Sequence, residues 1–277
     1  MSRIALSFAF LVGCSDYDLR KQEEPTPADP ADSGSFTPDT SRDSAALDSG
    51  EDTGSEVIPD TADPEIATEP VYINSGSTLY SYDPTTNSTT VIGVFKDNGV
   101  TVSSMTDIAI DLSGHMFGVA YEELYRITPT TGEVTDLGNI GVNCNALTFV
   151  SDGTLVGAGD SGVITIEPKG LKTKKLGGGS FTSSGDIVGL PDGFLYWSVQ
   201  GGTSDELVQV DPATGKATRL GSIGSNGVYS LGYAYGTLYG FTSGDEVLQI
   251  DATTGRTTKT DRLAGSWWGA TTNPVLW

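Results

Sequence analysis

Short stretches in which apolar and polar residues alternate recur along the chain between residues 71 and 273. In residues 207–221, Val208 and Val210 alternate with polar neighbours, which is the period of a half-buried β-strand. Residues 211–215 (Asp-Pro-Ala-Thr-Gly) then have turn chemistry, because proline presets φ, aspartate caps nearby amides and glycine accepts a positive φ. A second strand follows and ends at Gly221. The pattern predicts a β-hairpin.

This hairpin is repeated about five times, at a spacing of roughly 39 to 45 residues. The other copies begin with residues 79–84, 124–129, 163–168 and 247–252. A second hairpin pattern with a glycine-containing turn precedes most copies, in residues 107–119, 145–157, 186–197 and 230–240. Four short strands in about 40 residues, repeated, are typical of the blades of a β-propeller.

The two ends of the repeat region are incomplete in complementary ways. The first copy, residues 71–95, lacks a leading strand, and residues 266–273 form a leading strand with no blade after it. Pairing the two would complete one blade and remove an open sheet edge. We therefore expect an all-β, five-bladed β-propeller in residues 70–277, closed by strands from both termini. The third copy departs from the pattern, since residues 169–171 (Lys-Gly-Leu) replace the Thr-Gly turn.

The N-terminus carries a separate signal. Arg3 precedes an apolar run, residues 4–12, which ends in Gly13 and Cys14. This segment resembles a bacterial lipoprotein signal peptide, residues 1–13, and the resemblance implies cleavage before Cys14 and its acylation, palmitate included. Several acyl chains on one residue would anchor the protein stably. Because Ser15 is not aspartate, the sorting rule of enteric bacteria implies the outer membrane of a Gram-negative cell envelope. The alternatives are an ordinary secretory signal or a chance apolar start.

Residues 14–69 form a predicted disordered linker after the lipidated cysteine. Residues 15–69 hold 16 acidic and 3 basic side chains among many Pro, Ser and Thr residues. Such a composition buries too little apolar surface to offset the entropy of ordering. Calcium capture by Asp48, Glu51, Asp52 and Glu56 is the alternative, although their spacing fits no EF-hand loop. The rest of the chain is only mildly acidic and has no basic footprint, which argues against nucleic-acid binding.

The repeats resemble those of bacterial extracellular propeller proteins that read Leu-Tyr-x-Ile-Asp-Pro-x-Thr-Gly. The resemblance covers residues 71–273 and implies the fold, but it says almost nothing about function. We expect a monomeric, membrane-anchored binding or scaffold lipoprotein, not an enzyme, that presents the propeller to protein partners. A glycan-binding module is the alternative, and a polysaccharide hydrolase or lyase is a third hypothesis.

The inner strands of the predicted blades supply candidate site residues. Their alignment places Asp107, Asn145, Asp186, Ser230 and Gly269 at equivalent positions near the mouth of the central channel. Asp107, Asn145 and Asp186 are candidate calcium ligands, because oxygen side chains around one axis suit a hard cation. The alternative is that these residues cap backbone amides. Asp107 and Asp186 also form the candidate acid–base pair of the hydrolase hypothesis, although no third acid aligns with them.

Other candidates lie near the variable loops, which belong to the opposite face from the recurring turns. Five aromatic side chains are candidates for ligand contacts, the alternative being packing between blades: Tyr121, Phe181, Tyr229, Trp267 and Trp268. His115 is the only histidine, which leaves no basis for the usual zinc site. Cys144 is the only cysteine besides Cys14, so we expect a small buried thiol there and no disulfide.

Overall fold

The computed structural model describes residues 66–276. The predicted signal peptide, Cys14 and the linker up to residue 65 lie outside the described residues. Within them the chain is built from β-strands, with one short 3-10 helix at Pro274–Leu276. No helix of this part of the chain is long and apolar enough to cross a membrane.

The strands follow one another with short connections. In chain order they are β1 (Val71–Asn74), β2 (Thr78–Asp83), β3 (Ser88–Val94), β4 (Lys96–Asp97), β5 (Val100–Thr101), β6 (Asp107–Ile110), β7 (Met116–Ile127), β8 (Val134–Cys144), β9 (Ala146–Phe149), β10 (Leu155–Gly159), β11 (Gly162–Glu167), β12 (Lys172–Gly177), β13 (Ser183–Gly189), β14 (Leu195–Val199), β15 (Glu206–Val210), β16 (Ala217–Ser222), β17 (Val228–Ala234), β18 (Thr237–Thr242), β19 (Glu246–Ile250), β20 (Thr257–Arg262) and β21 (Gly269–Thr272).

Five antiparallel sheets form the five blades of a β-propeller. Blade 1 has the strand order β21-β1-β2-β3, blade 2 is β6-β7-β8, blade 3 is β9 to β12, blade 4 is β13 to β16 and blade 5 is β17 to β20. In blade 1 the C-terminal β21 pairs with the N-terminal β1, from Val71 opposite Thr272 to Asn74 opposite Gly269. The prediction of a five-bladed ring closed by both termini is confirmed.

Blade 2 differs in detail from the four-strand pattern. Its β7 is a single element of 12 residues. The first part of β7 pairs with β6, and the part after Tyr121 pairs mainly with β8. Tyr121 lies between the two parts with a φ of 57°. The two halves of β7 therefore occupy the second and third strand positions of the blade.

The recurring turns have the geometry that their residues predict. In the blade 4 turn, Asp211 Oδ1 accepts a hydrogen bond from the Ala213 N–H at 2.8 Å, and Oδ2 accepts one from the Thr214 hydroxyl at 2.7 Å. Gly215 ends this turn with a φ of 68°. In the blade 3 turn, whose sequence lacks the Thr-Gly pair, Leu171 adopts a φ of 50° although it is not glycine. Blade 3 nevertheless keeps all four strands.

The hydrophobic core is divided among the five blade boundaries. Each of five clusters of buried side chains joins two neighbouring blades, as shown by the pairs Leu79 and Ile108, Leu124 and Leu147, Val156 and Trp197, Leu207 and Leu248, and Phe241 and Tyr82. Cys144 is buried in the cluster between blades 2 and 3, as predicted, and is a free thiol. Each blade is therefore stabilised by burial against its neighbours rather than by its own sheet alone.

The innermost strands β6, β9, β13, β17 and β21 contact one another around a closed ring. At least one side chain also bridges each boundary by a hydrogen bond to the backbone of the neighbouring blade. These bonds join Asn74 Nδ2 to Met105 O (3.0 Å), Leu147 N to Asp107 Oδ2 (2.6 Å), Gly189 N to Thr148 Oγ1 (3.0 Å), Leu231 N to Asp186 Oδ2 (2.6 Å) and Tyr233 N to Thr272 Oγ1 (2.6 Å).

The chain packs against the propeller before its first strand begins. Ala67 is buried, its N–H donates to Gly114 O at 2.7 Å, and its carbonyl accepts a hydrogen bond from Asn273 Nδ2 at 3.0 Å. The Tyr72 hydroxyl accepts a hydrogen bond from the Thr68 N–H at 2.9 Å. The composition of residues 66–69 predicts that they belong to the linker, but Ala67 is hydrogen-bonded to Gly114 in blade 2 and to Asn273 after β21.

Candidate binding site

One end of the central channel opens into a pocket of about 340 Å³. Seven residues line it: Thr106, Tyr121, Asn145, Ser184, Gly185, Tyr229 and Trp268. All but Tyr121 stand at, or directly before, the beginning of an inner strand. Because the inner strands of all blades run in the same direction along the channel, their beginnings meet at the same end. The fold itself therefore brings together residues that are far apart in the chain.

Three of the five predicted aromatic residues meet at this pocket and are partly open to solvent. Tyr121 is 47% exposed, Tyr229 is 39% exposed and Trp268 is 36% exposed. The backbone N–H of Trp268 donates to Asn74 O at 2.8 Å, and its ring packs against Gly76, where a Cβ would lie only 3.3 Å from the ring. Exposed rings fixed around a concavity present flat apolar faces to a ligand.

The other two predicted aromatic residues are not at the pocket. Trp267 is only 3% exposed, its ring meets Tyr80 edge-on at 5.3 Å between centroids, and its indole N–H donates to Leu263 O at 3.2 Å. Phe181 is partly buried against the core cluster between blades 3 and 4. For these two residues the structure shows the packing alternative.

Asn145 lines the pocket and has a side-chain oxygen without a hydrogen-bond partner. Its backbone N–H donates to Ala158 O at 3.0 Å, but its side-chain Oδ1 is buried and has no hydrogen-bond partner within the described chain. By contrast, the Thr106 hydroxyl donates to Val119 O at 2.9 Å, and the Ser184 hydroxyl donates to Asp205 Oδ2 at 2.7 Å. A buried polar atom normally has a partner, so the Asn145 carboxamide is a pocket-lining group whose hydrogen-bonding capacity the described chain leaves unused.

Asp107 and Asp186 lie deeper in the channel and are completely buried. Asp107 accepts hydrogen bonds from Ile108 N (2.8 Å) and Leu147 N (2.6 Å). Asp186 accepts them from Ile187 N (2.5 Å), Leu231 N (2.6 Å) and Ala270 N (3.3 Å). Both carboxylates thus bind backbone amides of their own and of other blades, which is the capping alternative.

The two carboxyl groups also act on each other. Burial raises the pKa of Asp107 well above its ordinary value, and the negative charge of Asp186 raises it further. Burial likewise raises the pKa of Asp186, although hydrogen bonds from Asp107 and from backbone amides oppose this effect. Two like charges in one desolvated space are unfavourable, so the pair retains a proton to higher pH than exposed aspartates do.

Calcium binding by Asp107, Asn145 and Asp186 stays a prediction, and the two carboxylates offer it few free oxygens. Each oxygen of Asp107 and Asp186 already faces a backbone N–H donor, whereas calcium needs six to eight oxygen ligands free to coordinate it. In residues 66–276 no group of three or more His, Cys, Asp or Glu side chains could hold a metal ion. Asn74 Oδ1 and Ser230 Oγ are further buried oxygens without a partner in this region.

Thr106, Ser184 and Gly185 were not singled out from the sequence. Thr106 and Gly185 directly precede Asp107 and Asp186 in the chain, as Trp268 precedes Gly269. The position directly before each aligned channel residue is therefore the sequence feature that marks the pocket lining. Small residues without an obvious chemical role gave no reason to choose that position until the channel mouth was visible.

Comparisons with known proteins add information about the fold only. No protein-family model matches the chain, and no curated protein matches its sequence significantly. A chain in a nidogen–laminin complex has a TM-score of 0.52 and 11% identity, over 74% of this chain and 98% of that one. Hydrazine synthase from Kuenenia stuttgartiensis has a TM-score of 0.45 and 19% identity, over 58% of this chain and about half (49%) of that one. A Bacteroides caccae protein of unknown function has a TM-score of 0.44 and 12% identity, over 69% of this chain and 72% of that one. A propeller fold is consistent with a binding or scaffold role.

Proposed function

We propose that this protein is a non-enzymatic binding protein of the cell envelope, which captures a partner at the mouth of its propeller channel. The observation that carries the proposal is the pocket itself, where the partly exposed Tyr121, Tyr229 and Trp268 lie together with Asn145, whose Oδ1 has no hydrogen-bond partner. Concave sites with aromatic walls and few polar groups are the usual form of ligand pockets. The closed ring of blades holds these residues in fixed positions, so little ordering is needed on binding.

The position of the channel acids supports a non-enzymatic role. Asp107 and Asp186 are fully buried, and neither lines the pocket. A general acid or base must come within hydrogen-bond reach of its substrate, whereas these carboxylates bind backbone amides that hold the blades together. Their raised pKa values therefore accompany a structural role rather than the hydrolase hypothesis.

The envelope location rests on the N-terminal segment. The resemblance of residues 1–14 to a lipoprotein signal implies acylation at Cys14, and the acidic residues 15–69 would give the propeller reach from the membrane. A Cys14→Ser variant should lose incorporation of labelled palmitate and move from the membrane fraction to the soluble fraction. Unchanged membrane partition of this variant would contradict anchoring through Cys14.

Capture of a partner is tested with the full chain, carrying Cys14→Ser and immobilised on a resin, in envelope extract. The extract is pretreated with protease in one arm and with periodate in the other, which separates the first expectation, an envelope protein, from an envelope glycan. Trp268→Ala should reduce retention. Tyr235→Ala is the matched control, because Tyr235 is 72% exposed and lies at the opposite ends of the inner strands. Retention from untreated extract that is unaffected by Trp268→Ala, or no retention from untreated extract, would overturn the proposal.

A further inference from the structure

We infer that the channel-mouth pocket takes one neutral sugar ring of an envelope glycan, with the Asn145 carboxamide bonding its hydroxyl groups and the exposed rings packing on its faces. This inference rests on the proposed function and specifies its ligand. Four features of the pocket carry it: the charge of its lining, the nature of its walls, the unpaired amide and its size.

The lining is polar but uncharged. None of the seven residues that form the pocket is Asp, Glu, Lys or Arg. A charged ligand group would lose hydration there without gaining an ion pair. The buried Asp107 and Asp186 directly follow Thr106 and Gly185, and any charge on them would repel an anionic ligand in particular. The lining therefore favours a neutral ligand.

The walls suit a ligand with flat apolar faces. Tyr121, Tyr229 and Trp268 come from three different blades and are each between 36% and 47% exposed. Gly185 packs against the backbone of Tyr229, since a Cβ on this glycine would lie 2.7 Å from Tyr229 O. The site of Tyr229 is thus fixed by close packing between blades 4 and 5. A sugar ring has C–H faces that can cover such aromatic surfaces and hydroxyl groups at its edge.

The unpaired amide supplies the complementary hydrogen bonds. A carboxamide places one acceptor oxygen beside one donor nitrogen, which matches two neighbouring hydroxyl groups. Asn145 lines the pocket, and its Oδ1 has no hydrogen-bond partner within the described chain, which is unfavourable for a buried polar atom. Because the Thr106 and Ser184 hydroxyls already donate to protein acceptors, Asn145 would determine the orientation of the ring.

The size of the pocket limits the ligand to a small unit. Its volume of about 340 Å³ lies at the lower end of the range of roughly 300–1,000 Å³ for ligand pockets. The occupant is therefore one ring of a chain, or its end, with the remainder of the glycan outside. A protein partner would instead need about 800 Å² of contact on its own side, and thus the surrounding loops as well.

The test uses the full chain with Cys14→Ser and saturation-transfer NMR. The probes are the methyl glycosides of glucose, galactose, mannose and N-acetylglucosamine, with methyl glucuronide as a charged comparison. We expect at least one neutral glycoside to bind saturably, with a dissociation constant on the order of 1 mM. The charged glucuronide should bind about tenfold more weakly.

Variants connect this binding to the pocket. Asn145→Ala and Trp268→Ala should each weaken binding of that glycoside about tenfold, and Tyr235→Ala should leave it unchanged. Thermal unfolding of each variant separates loss of the site from loss of the fold. Failure of every neutral glycoside to bind, or binding that Asn145→Ala and Trp268→Ala leave unchanged, overturns the inference. If envelope capture then remains sensitive to Trp268→Ala and to protease, the proposed function stands and only the sugar is wrong.

Discussion

Asp186 in the inner strand of blade 4 accepts a hydrogen bond at 2.6 Å from the backbone N–H of Leu231 in the inner strand of blade 5. The same carboxylate oxygen also accepts from Ala270 N at 3.3 Å, in the strand that the C-terminus adds to blade 1. One buried side chain thus joins three of the five blades. It does so where no solvent can replace it, because Asp186 is completely buried.

Removal of this carboxylate should destabilise the whole ring. Asp186→Ala leaves the N–H groups of Ile187, Leu231 and Ala270 without their acceptor, and each unsatisfied buried donor is unfavourable. We expect the free energy of unfolding in urea to fall by about 3 kcal/mol. Asp160→Ala, at an exposed aspartate between β10 and β11, is the control and should change it by less than about 0.5 kcal/mol. Equal stability of the two variants would contradict the structural role of Asp186.

The carboxyl pair in the channel should make stability depend on pH. The pKa of Asp186 is raised to about 7 and that of Asp107 is also raised, so the folded state binds more protons than the unfolded state above pH 4. The stabilisation is complete below about pH 4 and is lost as the pH rises to about 7. We expect the Tm at pH 8 to be about 5 °C below that at pH 5. Asp186→Asn should show a smaller difference. A Tm that does not fall over this range, or a fall that Asp186→Asn leaves unchanged, would contradict the assignment.

Gly269 permits a close approach between blades 1 and 2 in the channel. A Cβ on Gly269 would lie 2.6 Å from both Asn74 Oδ1 and Asp107 Cα. Gly269→Ala should therefore lower the free energy of unfolding by about 2 kcal/mol, because the packed strands must move apart. Gly202→Ala is the matched control, since a Cβ there meets nothing within 4 Å, and it should be neutral or stabilising by up to about 1 kcal/mol. The comparison is made by urea titration, and equal effects would refute the close contact.

Cys144 should be unreactive in the folded protein. Burial raises the pKa of its thiol to about 12, and the thiol donates a hydrogen bond to Ala146 O at 3.0 Å. In a chain carrying Cys14→Ser, a disulfide reagent at pH 8 should modify Cys144 at least about 100-fold more slowly in buffer than in denaturing urea. Rapid stoichiometric modification of the native protein would show that this blade boundary opens readily.

The repeat pattern was sufficient to predict the number of blades and their closure. The Asp-Pro-x-Thr-Gly turns bond within themselves, as at Asp211, so their geometry is encoded in five neighbouring residues. The incomplete repeats at the two ends similarly predict that β1 pairs with β21, because together they make one blade. Such features depend on local chemistry and periodicity, which a single sequence displays directly.

The candidate site could be predicted only in part. The alignment of inner strands identifies Asn145 and the channel acids. The aromatic residues near the variable loops include the three that line the pocket, Tyr121, Tyr229 and Trp268. Trp267 and Trp268 are adjacent in the chain, yet one is core and the other lines the pocket. Both residues lie directly before β21 rather than in a strand, so the alternation of a strand does not assign their sides, and only packing decides which of them the neighbouring blade covers.

The sequence alone therefore determined the strands, the turns and the closed ring of five, because these follow from residue types at fixed spacing. Tertiary structure decided which polar groups have partners. Asp107 and Asp186 cap the amides of distant blades, whereas Asn145, at the equivalent position, has an oxygen with none. That difference depends on contacts between residues about 40 or more positions apart in the chain, which only the packing of blades around a common axis brings together.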